Sequence, residues 1–326
     1  MTYSDSNLYL GVDTSAYTTS LAAVNETGEL AWEARTVLAV PDGETGLAQS
    51  TAFFQHVQNL PGLIARVPDQ VWNNLKAVGV STKPRPQAGS YMPVFTAGYA
   101  VASAIAAARR VKLWETTHQE GHIAAGAASA FNLSAARFLA IHISGGTTEI
   151  LAINHTGGGR VELDLLGGTT DLHAGQFIDR VGVLLGLPFP AGQALEQLAL
   201  GAGPRAASLL PSAVQGLKVS FSGVETAARR LLAQGIAPAD LARAVEGCIA
   251  RTVSKLAQAA IAATGLDRVL IVGGVASNRF IREEMARRLA KVAQLFWAES
   301  NWSRDNAIGV ALLAREAVLG LSRTNG

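Results

Sequence analysis

Short apolar runs separated by turns recur at two places in the chain. The first run is Leu8-Tyr-Leu-Gly-Val12, followed after a small-residue turn by Thr18–Asn25 and then Glu29–Arg35; the second is Phe138-Leu-Ala-Ile-His-Ile143, the stretch after Thr147, and Arg160–Leu166. Placing Ser15 over Ser144 makes Thr18/Thr147, Thr19/Thr148, Ala23/Ala152, Asn25/Asn154, Thr27/Thr156 and Gly28/Gly157 identical. Short apolar strands separated by a small-residue turn and then a polar Gly turn predict a three-stranded meander in each copy. Chance identity in a chain rich in Gly, Ala and Thr is the competing explanation. After each meander the period lengthens to that of a helix. Helices are predicted near Leu47–Arg66 and Val94–Arg110, with strands at Lys76–Ser81 and Val111–Glu115. The second half predicts helices between His173 and Gln234, a long helix near Ala239–Ala263, a strand at Arg268–Val272 and a helix at Ser277–Lys291. A strand at Ala293–Trp297 and a helix at Asp305–Leu319 complete it. A meander followed by alternating helix and strand, used twice, predicts an α/β fold of two lobes with a central cleft. The first lobe is expected over 1–130 plus 300–326 and the second over 131–299.

Composition narrows this picture. A chain of 326 residues has material for about two cores of roughly 100–200 residues each. Hydrophobic residues at 49% and charged residues at 16% exclude a disordered chain. The formal charge of +2 is too small for a general electrostatic grip on nucleic acid or membrane, so any such contact is local. The single cysteine, Cys248, excludes an internal disulfide and fits a reducing, cytoplasmic setting. The opening residues carry no basic segment ahead of an apolar run, and the longest small-apolar stretch, Ala97 to Ala108, reads as a buried helix; no membrane association is expected.

Four groups of residues carry candidate chemistry. Ser144-Gly145-Gly146-Thr147 is a turn whose glycines let backbone amides approach phosphate oxygens, although such a turn also serves as a plain hairpin. Gly273-Gly274-Val-Ala-Ser-Asn278 is a second Gly turn, leaving a buried strand and opening a helix whose positive end faces what lies there. Two such turns suggest a nucleotide held between the lobes. His118-Gln-Glu-Gly-His122 stacks two imidazoles at i and i+4 on one helix face, within reach of one metal ion or as structural histidines. Glu120 is two residues past the first histidine, which departs from the zincin spacing. Asp305 is the most suggestive third ligand, and two histidines with one carboxylate leave open positions, as in Fe(II) or catalytic Zn sites. Asp179 and Glu196 are carboxylates that suit ribose hydroxyls, or are solvated helix charges. Arg279, Arg282, Arg287, Arg288 and Lys291 read as a soluble helix face rather than an RNA contact.

Taken in order, these motifs resemble the TsaD/Gcp family, the threonylcarbamoyl transferases of tRNA modification. The resemblance covers Gly11-Val-Asp13-Thr-Ser15, His118-x-Glu-Gly-His122, Ser144-Gly-Gly146-Thr and Ala174-Gly-Gln-Phe-Ile-Asp179. It continues through Pro190-Ala-Gly192, Ser220-Phe-Ser-Gly223, Gly273 to Asn278 and Asp305-Asn-Ala307. It implies the actin-like ATPase fold, a duplicated ribonuclease H-like α/β architecture. It also implies one divalent metal, Fe or Zn, on His118, His122 and Asp305. The phosphate and acyl part of threonylcarbamoyl-adenylate, or of another adenine nucleotide, would meet Ile143, Ser144, Gly145, Gly146 and Thr147. The ribose would meet Asp179, Gly192 and Glu196, and the adenylate Asn278. The implied reaction moves the threonylcarbamoyl group to N6 of the tRNA adenosine beside the anticodon and releases AMP. The implied partners are tRNA, a second copy or a related actin-like subunit, and an accessory ATPase.

The chain also departs from the family pattern. Asp13-Thr-Ser15-Ala16-Tyr17-Thr18-Thr19 stands where members carry Glu-Thr-Ser-Cys-Asp-Glu-Thr, and Lys83 to Pro93 replaces a Gly-Pro-Gly-Leu loop. Thr147 replaces the histidine of a Gly-Gly-His turn. These departures imply an alternative, a divergent paralogue that keeps nucleotide and metal but acts as a partner subunit or on another carbamoyl acceptor. A metalloprotease, an older label for the family, is disfavoured by the misplaced Glu120.

Overall fold

A computed structural model describes residues 6–15, 17–40, 47–130, 137–303 and 307–324. The described chain divides into two compact units. The first takes in the described residues within 1–136, 154–163 and 301–326, and the second those within 137–153 and 164–300.

The chain opens with the meander β1 (Leu8–Thr14), β2 (Thr18–Asn25) and β3 (Leu30–Val37). Helices α1 (Gln49–Ile64) and α2 (Asp69–Asn73) lead to β4 (Leu75–Ser81), then α3 (Phe95–Arg109), β5 (Lys112–Thr116) and α4 (His118–Ala130). These strands form one sheet in the order β3-β2-β1-β4-β5, antiparallel within the meander and parallel from β1 to β5. β1 is buried at every position because both faces of the sheet are covered. Leu8, Leu10 and Val12 pack with Leu60, Leu63 and Ala102 on one side. Tyr9, alternating to the other face, packs with Ala311 and Leu312 of the last helix. A strand covered on both faces loses the apolar/polar alternation and reads as a continuous apolar run.

The second meander is β6 (Arg137–Ile143), β7 (Thr148–Gly157) and β8 (Arg160–Thr169), followed by α5 (Ala174–Leu184) and α6 (Gly192–Ala199). A small hairpin, β9 (Val214–Gln215) and β10 (Lys218–Val219), precedes α7 (Ser222–Ala233) and α8 (Pro238–Thr264). Then come β11 (Arg268–Val272), α9 (Arg279–Leu289), β12 (Gln294–Trp297), α10 (Ser300–Ser303) and α11 (Ile308–Thr324). The second sheet runs β12-β11-β6-β7-β8-β10-β9. Its core joins Leu139, Ile141 and Ile143 to Phe177 of α5, to Val245, Ile249 and Val253 of α8 and to Ile281 and Met285 of α9. Pro238 at the first turn of α8 and Gly265 in the left-handed region after its last turn mark the ends of that 27-residue helix.

Predicted and observed elements differ where propensity gives way to packing. The 214–219 hairpin and α2 are too short to leave a periodic signal. The Gly273 turn does not open a helix directly: a single 3-10 turn over Gly274–Ser277 intervenes, and α9 starts at Arg279. Among the described residues no helix is long and apolar enough to cross a membrane.

Candidate functional site

In the first unit the histidine pair opens α4. Thr117 and Glu120 cap this helix reciprocally: the Glu120 amide donates to Thr117 Oγ1 at 3.2 Å, and the Thr117 amide donates to Glu120 Oε2 at 2.7 Å. Glu120 also accepts from Thr116 Oγ1 at 3.0 Å, so its carboxylate serves the helix start. The next two amides, of His118 and Gln119, donate to the carbonyls of Lys83 and Pro84, each at 3.0 Å. The segment that departs from the family loop therefore holds the start of the histidine helix. Gly121, an odd residue for a helix interior, sits against α11: a Cβ there would fall 3.0 Å from Val310 Cγ2.

His118 and His122 meet edge to face, ring centroids 4.4 Å apart, with their Nε2 atoms at 3.0 Å. Nδ1 of His118 contacts both carboxylate oxygens of Asp13, at 3.0 and 3.1 Å, and Ser81 Oγ donates to the same carboxylate. Asp13 is fully buried and His118 is part-buried. Two converging imidazole nitrogens at a half-buried position are a donor pair that Fe or Zn accepts. Asp13 is bound at the opposite edge of the His118 ring. Asp305 lies outside the described residues, and among the described residues no three His, Cys, Asp or Glu side chains gather as a metal centre.

The first turn itself is held by His56 of α1. Its Nε2–H donates to the Ser15 carbonyl at 2.7 Å and its Nδ1 accepts from Thr19 Oγ1 at 2.8 Å. Burial, the largest influence, lowers the His56 pKa below the ordinary imidazole value, against the Ser15 hydrogen bond and Asp13. Tyr17 is exposed and Thr18 is buried in β2.

In the second unit the two Gly turns lie side by side. β6 and β11 pair in parallel up to His142 and Val272, so Ile143-Ser144 and Gly273-Gly274 leave the sheet together. Gly273 has a φ of +102° and a Cβ there would collide with the Ile143 carbonyl, so only glycine fits. The Ser144 amide donates to the Thr147 carbonyl at 2.8 Å, closing the first turn with Gly145 and Gly146 exposed at its tip. The start of α5 is anchored to that turn. Ala174 N donates to Thr148 Oγ1 at 2.8 Å and Gly175 N to the Ser144 carbonyl at 3.0 Å.

The other expected residues form a connected set around α6 and α9. Asp179 Oδ1 accepts from the Ala191 amide at 2.8 Å, next to Gly192, and burial raises its pKa above the usual carboxylate value. Glu196, one turn further along α6, accepts from the Arg279 amide at 2.7 Å. Beside Arg279, Asn278 caps α9 by accepting from Ile281 N at 2.9 Å and donates its amide to Glu246 Oε1 at 2.7 Å. Three of the four arginines of α9 are paired along the helix, Arg279 with Glu283 and both Arg287 and Arg288 with Glu284, and Arg282 lies over the Trp297 ring at 4.8 Å.

Sequence reasoning missed Asp13 as the partner of His118, and Glu246 with Arg243 behind Asn278. Each leaves a trace in the sequence, a lone carboxylate inside a buried, largely apolar stretch: Leu8–Thr14 for Asp13, and Ala244 to Ala250 for Glu246.

Residues 43–312 match the family model described as TsaD, tRNA N6-adenosine threonylcarbamoyltransferase. The chain belongs to the TsaD family. A relative of that name from Variovorax paradoxus (strain S110) is 31% identical over 94% of this chain and 89% of its own length. Another, from Nostoc sp., is 28% identical over 96% and 92%. Among solved structures, T. kodakarensis HypF superposes on this TsaD-family chain with a TM-score of 0.63 at 14% identity, over 98% of this chain and 48% of that one. The activator of 2-hydroxyisocaproyl-CoA dehydratase from Clostridium difficile gives 0.55 at 15%, covering 97% of both. A ROK family glucokinase from Streptomyces griseus gives 0.50 at 12%, covering 95% and 99%. These likenesses carry the fold, the actin-like ATPase α/β fold with its two mixed sheets.

Proposed function

We propose that this TsaD-family chain transfers a threonylcarbamoyl group from threonylcarbamoyl-adenylate to N6 of adenosine in tRNA, releasing AMP. Family membership over residues 43–312 is the observation that carries this reading. In the reaction N6 bonds to the carbamoyl carbon and gives up a proton, while the bond from that carbon to the phosphate oxygen breaks and its electron pair leaves with AMP. The exposed Gly145 and Gly146 backbone, with Ile143, Ser144, Thr147 and the adjoining Gly273 and Gly274, suits the phosphate that gains charge as it departs. Asp179 and Glu196 each use one oxygen to position α6 and α9, leaving acceptor capacity for ribose hydroxyls beside Gly192. Asn278 stands next to them for the base.

His118 and His122, with Asp305, would hold a divalent Fe or Zn ion, which supplies Lewis-acid polarisation of a carbonyl. The partners of this reading are tRNA, a second copy or related actin-like subunit and an accessory ATPase, and its setting is cytoplasmic. Incubation with threonylcarbamoyl-adenylate and unmodified tRNA, followed by mass spectrometry of the nucleosides, tests it. Threonylcarbamoyladenosine and AMP are expected in equal amounts. Adenylate binding without any modified adenosine, with partner subunits present, would overturn it.

A further inference from the structure

We infer that Asp13 is a positioning residue that fixes the tautomer of His118, so that this imidazole turns an unprotonated Nε2 toward the metal ion. The inference rests on the metal reading above and adds to it a residue outside the ligand set. Asp13 lies near the end of β1 with its carboxylate fully buried. A carboxylate only accepts, so the proton shared across its 3.0 and 3.1 Å contacts belongs to His118 Nδ1. Ser81 Oγ, from the neighbouring strand β4, donates to Oδ1 and holds the carboxylate plane in place. Neutral imidazole carries one N–H, so Nε2 of His118 is left with its lone pair. The His122 Nε2 atom lies 3.0 Å from it, so both Nε2 atoms face one point. The buried carboxylate behind His118 is a feature that the spacing of the two histidines does not show. Partners that orient the second ring nitrogen of a ligand in this way typically contribute about 10–100-fold in metal affinity.

The test uses full-length, metal-stripped protein with 15N-labelled histidine at pH 8, with the His118 signals assigned from their loss in His118→Gln. Long-range 1H–15N correlation is expected to show the Nδ1–H tautomer for His118. An Nε2–H tautomer for His118 in the wild-type protein would overturn the inference without recourse to any variant. In Asp13→Asn the side-chain oxygen stays with Ser81 and the amide nitrogen faces Nδ1. His118 is then expected to switch to Nε2–H, and calorimetric Zn2+ affinity to fall by about 10–100-fold with the melting transition still cooperative. Unchanged tautomer and unchanged affinity in Asp13→Asn would sink the idea. Wild-type protein that shows the expected His118 tautomer but takes up neither Zn2+ nor Fe2+ supports the role of Asp13 toward His118 and removes the metal reading instead.

Discussion

Glu246 lies in the middle of α8 with no exposed surface, 2.7 Å from an Arg243 guanidinium nitrogen and hydrogen-bonded to Asn278. Burial is the largest influence on its carboxyl and outweighs both partners, with Glu196 adding to it, so its pKa is pushed up to about 7 from 4.5. Between those two values the folded chain holds a proton that the unfolded chain has lost, so the Glu246 contribution to stability declines as pH rises and is flat above about 7. A shift of that size corresponds to about 3 kcal/mol. His56 works in the opposite direction. Its lowered pKa gives stability that is fully present above the unfolded value near 6.5 and is lost as pH falls. The two residues therefore oppose each other over mildly acidic pH, and only a difference experiment separates them. Comparing denaturant midpoints of wild type and Glu246→Gln from pH 5 to pH 8, the wild type is expected to lose stability relative to the variant as pH rises. A pH-independent difference would show that Arg243 keeps Glu246 ionised throughout. At this scale the sequence was only partly legible: the candidate site residues could be named from their types and spacing, but not the side chains that contact them. Glu246 and Asp13 are recruited by tertiary neighbours such as Asn278 and His118, which lie 32 and 105 positions away along the chain.

At the element scale the periodic segments were legible almost to their ends, because a helix or strand packed on a core writes its period into the sequence. β11 falls on its expected Arg268–Val272, and α8 on Pro238–Thr264 against an expected Ala239–Ala263. What periodicity could not deliver was the way the elements are joined, because the joints use single side chains. α4 illustrates this: its reciprocal Thr117/Glu120 cap is a local motif, yet its next two amides are satisfied by Lys83 and Pro84 from a distant loop. Removing the cap tests how much of the helix start is local. Thr117→Ala is expected to cost about 1 kcal/mol, lowering the melting temperature by about 2–4 °C. Glu120→Ala should cost a similar amount, and the double variant less than the sum, since each bond orders the other. A melting temperature unchanged in Thr117→Ala would mean that the Lys83–Pro84 carbonyls alone fix where α4 begins.

At the scale of the whole molecule, one meander has been used twice and its two turns have been put to different ends. In the first copy the turn is packed from below by His56, and the position two residues before Ser15 is the buried Asp13 that contacts the histidine helix. In the second copy the turn keeps two bare glycines at its tip and binds the start of α5 through backbone groups. The duplication was therefore visible as matched residues, while the division of labour lies in the mismatches, which a search for identity passes over. The mismatched glycines give the sharpest separation of folding from function. A Cβ at Gly145 or Gly146 would meet no protein atom within 4 Å, and neither residue needs a positive φ. Gly145→Ala and Gly146→Ala are thus expected to change stability by no more than about 1 kcal/mol, and the loss of backbone freedom in the unfolded chain makes a small gain as natural as a small loss. If the tip receives the phosphate, the same methyl group intrudes where amides must approach oxygen, and affinity for AMP or a non-hydrolysable adenylate is expected to drop by about tenfold or more, an interaction loss of roughly 1.4 kcal/mol. Titration calorimetry beside thermal melts reads both quantities on one preparation. Full affinity in both alanine variants would move the phosphate away from this turn, whereas a fall in affinity and stability together would assign the glycines to the fold.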